Sequence, residues 1–234
     1  MKYIAEGGTD GGSMLLFDPE ALPDDYDEQS KIDPTEILEQ ATLNGDAYWI
    51  NTDGSDGDWL LHAYVDEPVT PELTEYLQDE EQVDAFRVPS GKLYYAGVEY
   101  GFRHDDSFLK KYPGMGGLME MKAGVYALSL YRAEYPEGFM EEKLRGQVSG
   151  FAYWLHQSMG LFVMLGLVGV VVMLLSIFKL GMLPVLIPIG LVLLALPFVA
   201  FKSSVFKKTD KNWMEIQRDY PSVVAVMKTK ELTE

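Results

Sequence analysis

The distribution of apolar and charged positions along the chain predicts a pair of membrane-length helices. Between Arg145 and Lys179 lie 33 consecutive residues without a formal charge, and 22 more follow Lys179. About 20 apolar residues in a helix span a hydrocarbon core of about 30 Å. The pattern therefore predicts two transmembrane helices joined by a short loop. The predicted hairpin covers residues 146–201, with spans at about residues 155–178 and 183–201.

Residues at the two ends of this hairpin are of the types found where helices leave a bilayer. Tyr153 and Trp154 precede the first span, where interfacial aromatic side chains are expected, and Lys202 follows the second. Basic residues flank the hairpin on its outer sides, whereas its loop has only Lys179. The positive-inside rule then predicts a two-pass protein with both termini in the cytoplasm. Neither span contains Asp, Glu, Lys or Arg, so an ion or proton pathway is not expected.

Residues 1–145 have the pattern of a soluble α+β domain with a mainly antiparallel sheet and a few helices. The glycine-rich segment 7–12 predicts a hairpin turn between the first two strands. Asp33-Pro34 and Thr70-Pro71 predict helix starts, because a capping residue precedes a proline at the first helical position. The second helix is expected to continue into the acidic run 79–81. Short apolar or alternating runs predict strands at residues 3–5, 14–17, 47–50, 59–65, 83–88, 92–102 and 125–135.

Residues 202–234 are predicted to form a short cytoplasmic tail, basic at first and mixed afterwards. Apolar residues between positions 213 and 227 recur at roughly helical spacing, broken by Pro221. The tail either lies on the bilayer surface or docks on the soluble domain, and docking is favoured. The sequence thus predicts three regions, at residues 1–145, 146–201 and 202–234.

Charge is distributed very unevenly between the two parts of the chain. Residues 1–145 contain 31 acidic and 11 basic residues, whereas residues 146–234 contain 5 and 8. Such an imbalance repels nucleic acid and anionic lipid and attracts a basic protein. Simple solubility is an equally good explanation of the same charge. The predicted partner-binding residues are the two densest acidic groups: Asp24, Asp25, Asp27 and Glu28, and Asp79, Glu80 and Glu81.

Residue patterns that would indicate catalysis or metal binding are missing from the sequence. There is no cysteine and there are three histidines, of which His156 belongs to the predicted hairpin. The Asp- and Gly-rich segment 51–58 does not place glycine and glutamate where a helix–loop–helix calcium site requires them, so a turn is predicted there. No phosphate loop, nucleophile elbow or basic nucleic-acid-binding patch occurs. The sequence therefore predicts a binding protein, not an enzyme, that needs no cofactor.

The chain resembles membrane-anchored immunity proteins of bacterial toxin–immunity pairs. The features that carry the resemblance are the opening from Gly7-Gly8 to Phe17, the acidic mixed domain without catalytic motifs, and the two-span anchor. The resemblance implies direct neutralisation of a toxin at the bacterial inner membrane, and a toxin that acts on or enters through that membrane. The alternatives are an accessory or scaffold subunit of a larger membrane complex and an enzyme acting on a membrane-borne substrate. The hairpin also offers a surface for homo-oligomerisation, whichever of these functions applies.

Overall fold

The computed structural model describes residues 1–178 and 183–230. Its strands are β1 (Lys2–Thr9), β2 (Ser13–Phe17), β3 (Ala47–Asn51), β4 (Gly57–Val65), β5 (Leu77–Val88), β6 (Lys92–Gly97), β7 (Gly116–Glu120), β8 (Gly124–Ala133) and β9 (Val223–Thr229). Its helices are α1 (Tyr26–Gln29), α2 (Pro34–Asn44), α3 (Pro71–Thr74), α4 (Ser107–Lys111), α5 (Phe139–Gln147), α6 (Gly150–Gln157), α7 (Met159–Phe178), α8 (Leu183–Lys202) and α9 (Ser204–Asp219).

These elements form two compact units, and the second is an insertion in the chain of the first. One unit contains residues 1–135 together with the residues from 220 onward, and the other contains residues 136–219. The sequence placed its boundaries at residues 145 and 201, because hydropathy marks where an apolar run begins and ends. The structure divides the chain instead where it leaves one sheet and later returns to it.

The first unit is built on two sheets that enclose a common apolar core. The five-stranded sheet has the order β1-β4-β9-β8-β5, and the four-stranded sheet has the order β3-β2-β6-β7. Side chains from both sheets meet in the core, among them Leu16 and Tyr95 from one sheet and Leu61, Leu128 and Val223 from the other. Strand pairing is antiparallel except between β4 and β9. The predicted α+β class with mainly antiparallel pairing is therefore confirmed.

Strand β9 comes from the segment predicted to be a cytoplasmic tail. It lies between β4 and β8 in the middle of the five-stranded sheet. Val223, Val224, Ala225 and Met227 on this strand are completely buried. A sheet with a strand missing at this position would expose both its core and the backbone hydrogen-bonding groups of β4 and β8. The five-stranded sheet is therefore complete only when residues beyond the insertion have joined it.

Several predicted strands exist, but the predicted pairing of the first two is wrong. β1 pairs with β4 and β2 pairs with β3 and β6, so the turn at residues 7–12 connects the two sheets. Segment 51–58 likewise joins strands of different sheets, β3 and β4. Glycine turns are equally suited to hairpins and to connections between sheets, because positive φ serves both. The strand predicted at residues 125–135 is present as β8, which lies between β9 and β5.

The two predicted helix starts had different outcomes. Helix α2 begins as expected: the Asp33 carboxylate accepts the backbone N–H of Glu36 at 3.1 Å, and Gly45 ends the helix in the left-handed conformation, at a φ of 72°. Helix α3 also begins at Pro71 but ends at Thr74, and residues 77–88 form strand β5. The prediction of a helix through residues 79–81 is therefore wrong. Pairing with β8 stabilises the strand and outweighs the low strand propensity of Asp and Glu in the acidic run.

The second unit consists of helices α5 to α9. Val148 is extended and Ser149 caps α6, so α5 and α6 are separate helices. Helices α7 and α8 pack side by side and antiparallel: a β-carbon at Gly169 would lie 2.7 Å from the Gly190 carbonyl oxygen, and one at Gly166 would lie 3.0 Å from Pro197 Cγ. Glycine lets the two backbones approach this closely. The structure therefore contains a helical hairpin in the predicted place.

The outer surface of this hairpin is apolar. More than half of the side-chain surface is exposed at Met164, Leu167, Val192, Phe198 and Val199. Judged by length and composition among the described residues, Met159–Ser176 is one helix able to cross a membrane. A second candidate span is formed by two helical segments taken together, Leu186–Lys202 and Ser204–Asp219, which are bent by 56° relative to each other. Residues 179–182, which contain the loop lysine, lie outside the described residues.

Candidate functional site

The first predicted acidic group surrounds the short helix α1. Asp27 accepts hydrogen bonds from the backbone N–H groups of Arg103, His104 and Asp105, at 2.6, 2.8 and 3.0 Å. Partial burial raises the pKa of Asp27, but these three donors more than offset that effect and hold its pKa below the usual value. Asp27 therefore fixes the backbone at residues 103–105, and its carboxylate is already used inside the domain.

The other members of this group are more open to solvent. The Arg103 guanidinium donates to the Asp24 carboxylate at 3.0 Å and to the Pro19 carbonyl oxygen at 2.7 Å. Asp25 and Glu28 are exposed. Of the four predicted residues, Asp25 and Glu28 are thus the ones best placed for an external cation. Their role in partner binding stays a prediction.

The second predicted acidic group lies on β5, at one edge of the five-stranded sheet. The register with β8 slips by one residue between Gln78 and Glu81, where Asp79 takes a positive φ of 51°. Such a bulge turns side chains away from their regular alternation. The Glu80 carboxylate accepts the Tyr131 hydroxyl at 2.7 Å and the Gln82 amide at 2.8 Å, and the hydroxyl contributes most to lowering the pKa of Glu80. Asp79 and Glu81 are left beside a groove.

This groove runs between β3 of one sheet and β5 and β8 of the other. Two adjoining cavities of about 350 and 310 Å³ share Tyr48, Trp49 and Glu81 in their walls. We call them together the β3–β5 groove. The first cavity is also lined by Ile50, Asn51, Asp79, Leu130 and Arg132, and the second by Glu39, Thr42 and Leu43.

Two contacts between the sheets hold the walls of the β3–β5 groove. The Tyr48 hydroxyl donates to the Glu81 carboxylate, which connects β3 to β5. The Arg132 guanidinium donates to the Asp53 carboxylate and to the Asn51 carbonyl oxygen, which connects β8 to the end of β3. The Asp53 hydrogen bond raises the pKa of Arg132, so the cation is permanently charged and paired. The acidic residues of the groove therefore face an arginine that already has partners.

Nothing in the sequence pattern predicts this groove. Tyr48 and Trp49 are ordinary strand formers, and the acidic run is predicted to be helical. The groove forms where β3, which pairs with β2 at the edge of one sheet, lies beside the bulged part of β5 at the edge of the other sheet. The excess of acidic residues in the sequence pointed to Asp79 and Glu81. It did not point to the aromatic residues or the arginine that line the groove with them.

Among the described residues, Asp27 of the first acidic group and Asp79 and Glu81 of the second line different cavities. Asp27 lines a separate cavity of about 440 Å³, together with Tyr26, Lys31, Glu99 and Phe108 among others. Asp79 and Glu81 line the β3–β5 groove. The structure thus offers two distinct acidic regions on the first unit, and a partner that contacts one need not contact the other.

The predicted interfacial residues all belong to the second unit. Tyr153 and Trp154 lie on α6, where Tyr153 is partly buried and Trp154 is 52% exposed. Lys202 is the last residue of α8 and is exposed. Helix α6 stops at Ser158 before α7 begins, so the two aromatic residues precede the apolar helix without forming part of it. Their position at a membrane interface stays a prediction.

The three histidines are on unconnected elements. His62 is buried on β4, and His104 lies in the loop held by Asp27. His156 lies on α6, 3.9 Å from the Asp210 carboxylate, and its ring stacks on Phe206. Within residues 1–178 and 183–230, no group of three or more His, Asp or Glu side chains is arranged to hold a metal ion.

Comparison with known proteins gives similarities of low degree. No protein-family model and no curated protein matches the chain. One similar solved structure, described as "Crocagin biosynthetic gene J", has 12% identity and a TM-score of 0.41, over 61% of this chain and 81% of that one. Another is ComJ from Bacillus subtilis, described as an inhibitor of the DNA-degrading activity of NucA; it has 9% identity and a TM-score of 0.34, over 57% of this chain and 81% of that one. Similarities this low support no inference about function.

Proposed function

We propose that this protein is a membrane-anchored binding module that captures a basic protein at the cytoplasmic face of the bacterial inner membrane. Its partner is a toxin, which the protein neutralises by direct binding and not by catalysis. Residues 136–219 provide the membrane anchor, and the acidic first unit provides the binding surface. Asp25 and Glu28 on one region, and Asp79 and Glu81 on the other, are the residues proposed to attract the partner.

The observation that carries this proposal is the insertion of an apolar helical hairpin into a strongly acidic domain. Residues 1–145 contain 31 acidic and 11 basic residues, whereas the exposed surface of α7 and α8 is apolar. An exposed apolar surface of this extent is typical of a membrane or protein interface. An acidic surface steers a basic partner towards it through long-range attraction. The combination fits a binding domain that is held at a membrane.

The fold also supports the proposed orientation in the membrane. β1 and β9 belong to the same sheet, so the first and last described strands lie in one compartment. An insertion that leaves this sheet and returns to it must cross a bilayer an even number of times. Lys202, Lys207, Lys208 and Lys211 follow the second helix, and this basic flank favours the cytoplasm for that compartment.

Capture of a partner by the full chain in zwitterionic nanodiscs tests the proposal. We expect a basic protein to bind with an association rate that falls as salt rises, because exposed charges are screened. The pair Asp25→Lys and Glu28→Lys should weaken binding, whereas Asp25→Asn with Glu28→Gln should weaken it less. Asp27 is left unchanged in both variants because it holds residues 103–105.

Growth of cells distinguishes a toxin from other partners. The captured protein should be toxic when expressed alone, and co-expression of the full chain should relieve the toxicity. A partner that binds equally well to the charge-reversed chain and contacts only residues 136–219 would overturn the proposal. That result would favour an accessory subunit of a membrane complex.

A further inference from the structure

We propose that the β3–β5 groove binds the guanidinium group of an arginine side chain in an exposed segment of the partner. This inference rests on the proposed function, since it assumes a basic protein partner, and it specifies which part of the acidic surface recognises that partner. It is carried by the shape, charge and aromatic lining of the groove.

The charge of the groove favours a cation of this kind. Glu39, Asp79 and Glu81 line it, and among the described residues Arg132 is the only basic one in the lining. Arg132 donates to Asp53 and Asn51 and also interacts electrostatically with Asp79 and Glu81, but three carboxylates against one guanidinium leave the lining with a net negative charge. Asp79 and Glu81 are both exposed on the same bulge. Two carboxylates in one lining suit the planar guanidinium fork, which donates several hydrogen bonds in fixed directions; Glu81 also accepts the Tyr48 hydroxyl and keeps further acceptor positions.

The aromatic residues of the groove suit the flat face of the same group. Tyr48 and Trp49 line both cavities but project from opposite faces of β3, so the bound group stacks on one ring and not between the two. Guanidinium groups stack on indole and phenol rings more often than ammonium groups do, because they are planar and weakly hydrated. The Trp49 indole N–H is also buried without an acceptor among the described residues. A carbonyl oxygen of the bound segment would satisfy it after a small adjustment of the groove.

The backbone of β5 at this place is unusual. Asp79 adopts a positive φ of 51° within the bulge. A non-glycine residue in this region is uncommon, and such strain is concentrated at functional sites. Asp79 and Glu81 both line the groove at this place, together with Arg132. The geometry is therefore that of a formed recess and not of a solvated acidic strand.

A labelled hepta-arginine peptide tests the inference with the full chain in nanodiscs of zwitterionic lipid. Asp79→Asn is the main variant, because asparagine tolerates the left-handed backbone and the change removes only the charge. Asp84→Asn is its matched control, since it removes one exposed charge from the same strand but outside the groove lining. We expect Asp79→Asn to weaken binding about tenfold, the loss of one charge-assisted contact, and the control to weaken it less than twofold.

Fluorine NMR of the chain labelled with 5-fluorotryptophan provides a direct readout. The Trp49 signal, assigned with Trp49→Phe, should shift with the peptide and saturate, and hepta-lysine should shift it less. Equal loss with Asp84→Asn, or an unperturbed Trp49 signal, would mean general charge attraction and would overturn the inference. If the peptide binds in the groove but no protein partner is found, the proposed function fails and the groove assignment stands. If a protein partner is captured equally well by Asp79→Asn, the proposed function stands and the groove assignment fails.

Discussion

The Tyr135 hydroxyl donates a hydrogen bond of 2.9 Å to the carbonyl oxygen of Pro221. Along the chain these two residues are separated by the whole second unit. Further contacts join the same two segments: the ring centroids of Tyr135 and Tyr220 are 5.6 Å apart, and the Ala133 N–H donates to the Ser222 carbonyl oxygen at 3.0 Å. Burial raises the pKa of Tyr135, so its hydroxyl remains a donor at any physiological pH. The chain therefore leaves the first unit and returns to it at the same place.

We first predict that the insertion can be removed but that the segment after it cannot. A chain in which residues 136–219 are replaced by a short Gly/Ser linker should fold as a soluble monomer, because its two ends already lie side by side. A chain that stops at residue 145 should not fold, since it lacks β9 and leaves the interior of the five-stranded sheet open. Circular dichroism and amide NMR dispersion of the two proteins measure the difference. Folding of the shorter chain would contradict a central role for β9.

The second prediction concerns packing of the helical hairpin. Gly169→Leu should separate α7 from α8 and destabilise the hairpin by about 1–3 kcal/mol, because a side chain there meets the backbone of α8. Gly160→Leu is the matched control: it lies on the same helix, and a β-carbon there has no neighbour within 4 Å. Disulfide cross-linking between cysteines introduced on the two helices, in detergent, reports the separation. Equal cross-linking of both variants would show that the helices do not need this contact.

Our third prediction is that Asp27 is structural. Asp27→Asn should lower the free energy of unfolding by about 1–3 kcal/mol, because three backbone N–H donors lose a charged acceptor. Hydrogen exchange at residues 103–105 should become faster. Asp25→Asn, an exposed neighbour in the same acidic group, should change neither quantity. If both variants behave alike, the carboxylate of Asp27 does not fix the loop.

A fourth prediction gives the pH dependence at the end of β9. Asp66 accepts the Thr229 hydroxyl at 2.6 Å and the Thr229 backbone N–H at 2.8 Å, and these bonds, the hydroxyl first, lower its pKa. Since the folded pKa lies below the unfolded value of about 3.9, the stabilisation is complete above that value and is lost as pH falls through the folded pKa. The difference in urea midpoint between the wild-type chain and Asp66→Asn should therefore be largest near neutral pH and disappear in acid.

Asparagine is a suitable replacement for Asp66 because the residue has a positive φ of 54°, which asparagine tolerates. Asp84→Asn, on the exposed part of β5, provides the control and should leave the midpoint unchanged at every pH. A difference at Asp66 that persists unchanged below pH 3 would mean that the hydrogen bonds, and not the charge, provide the stabilisation.

Local features of the sequence predicted local features of the structure. The Asp33 cap and the strand β8 depend on neighbouring residues or on one strand's own pattern, and each was confirmed. The acidic run at residues 79–81 was the exception. Its charges carry no strong preference for strand, so the prediction followed the helix start at Pro71, whereas pairing with β8 decided the outcome.

The sequence by itself determined the apolar hairpin, the acidic imbalance and the α+β class, because hydropathy, charge and capping are written in adjacent residues. Only the tertiary structure decided that β1 and β2 belong to different sheets, that residues after the hairpin supply the central strand β9, and that Tyr48, Trp49, Asp79 and Glu81 line one groove. Strands with similar apolar patterns do not identify their partners. Which strands pair is decided by the packing of the two sheets around a shared core, through contacts between residues far apart along the chain.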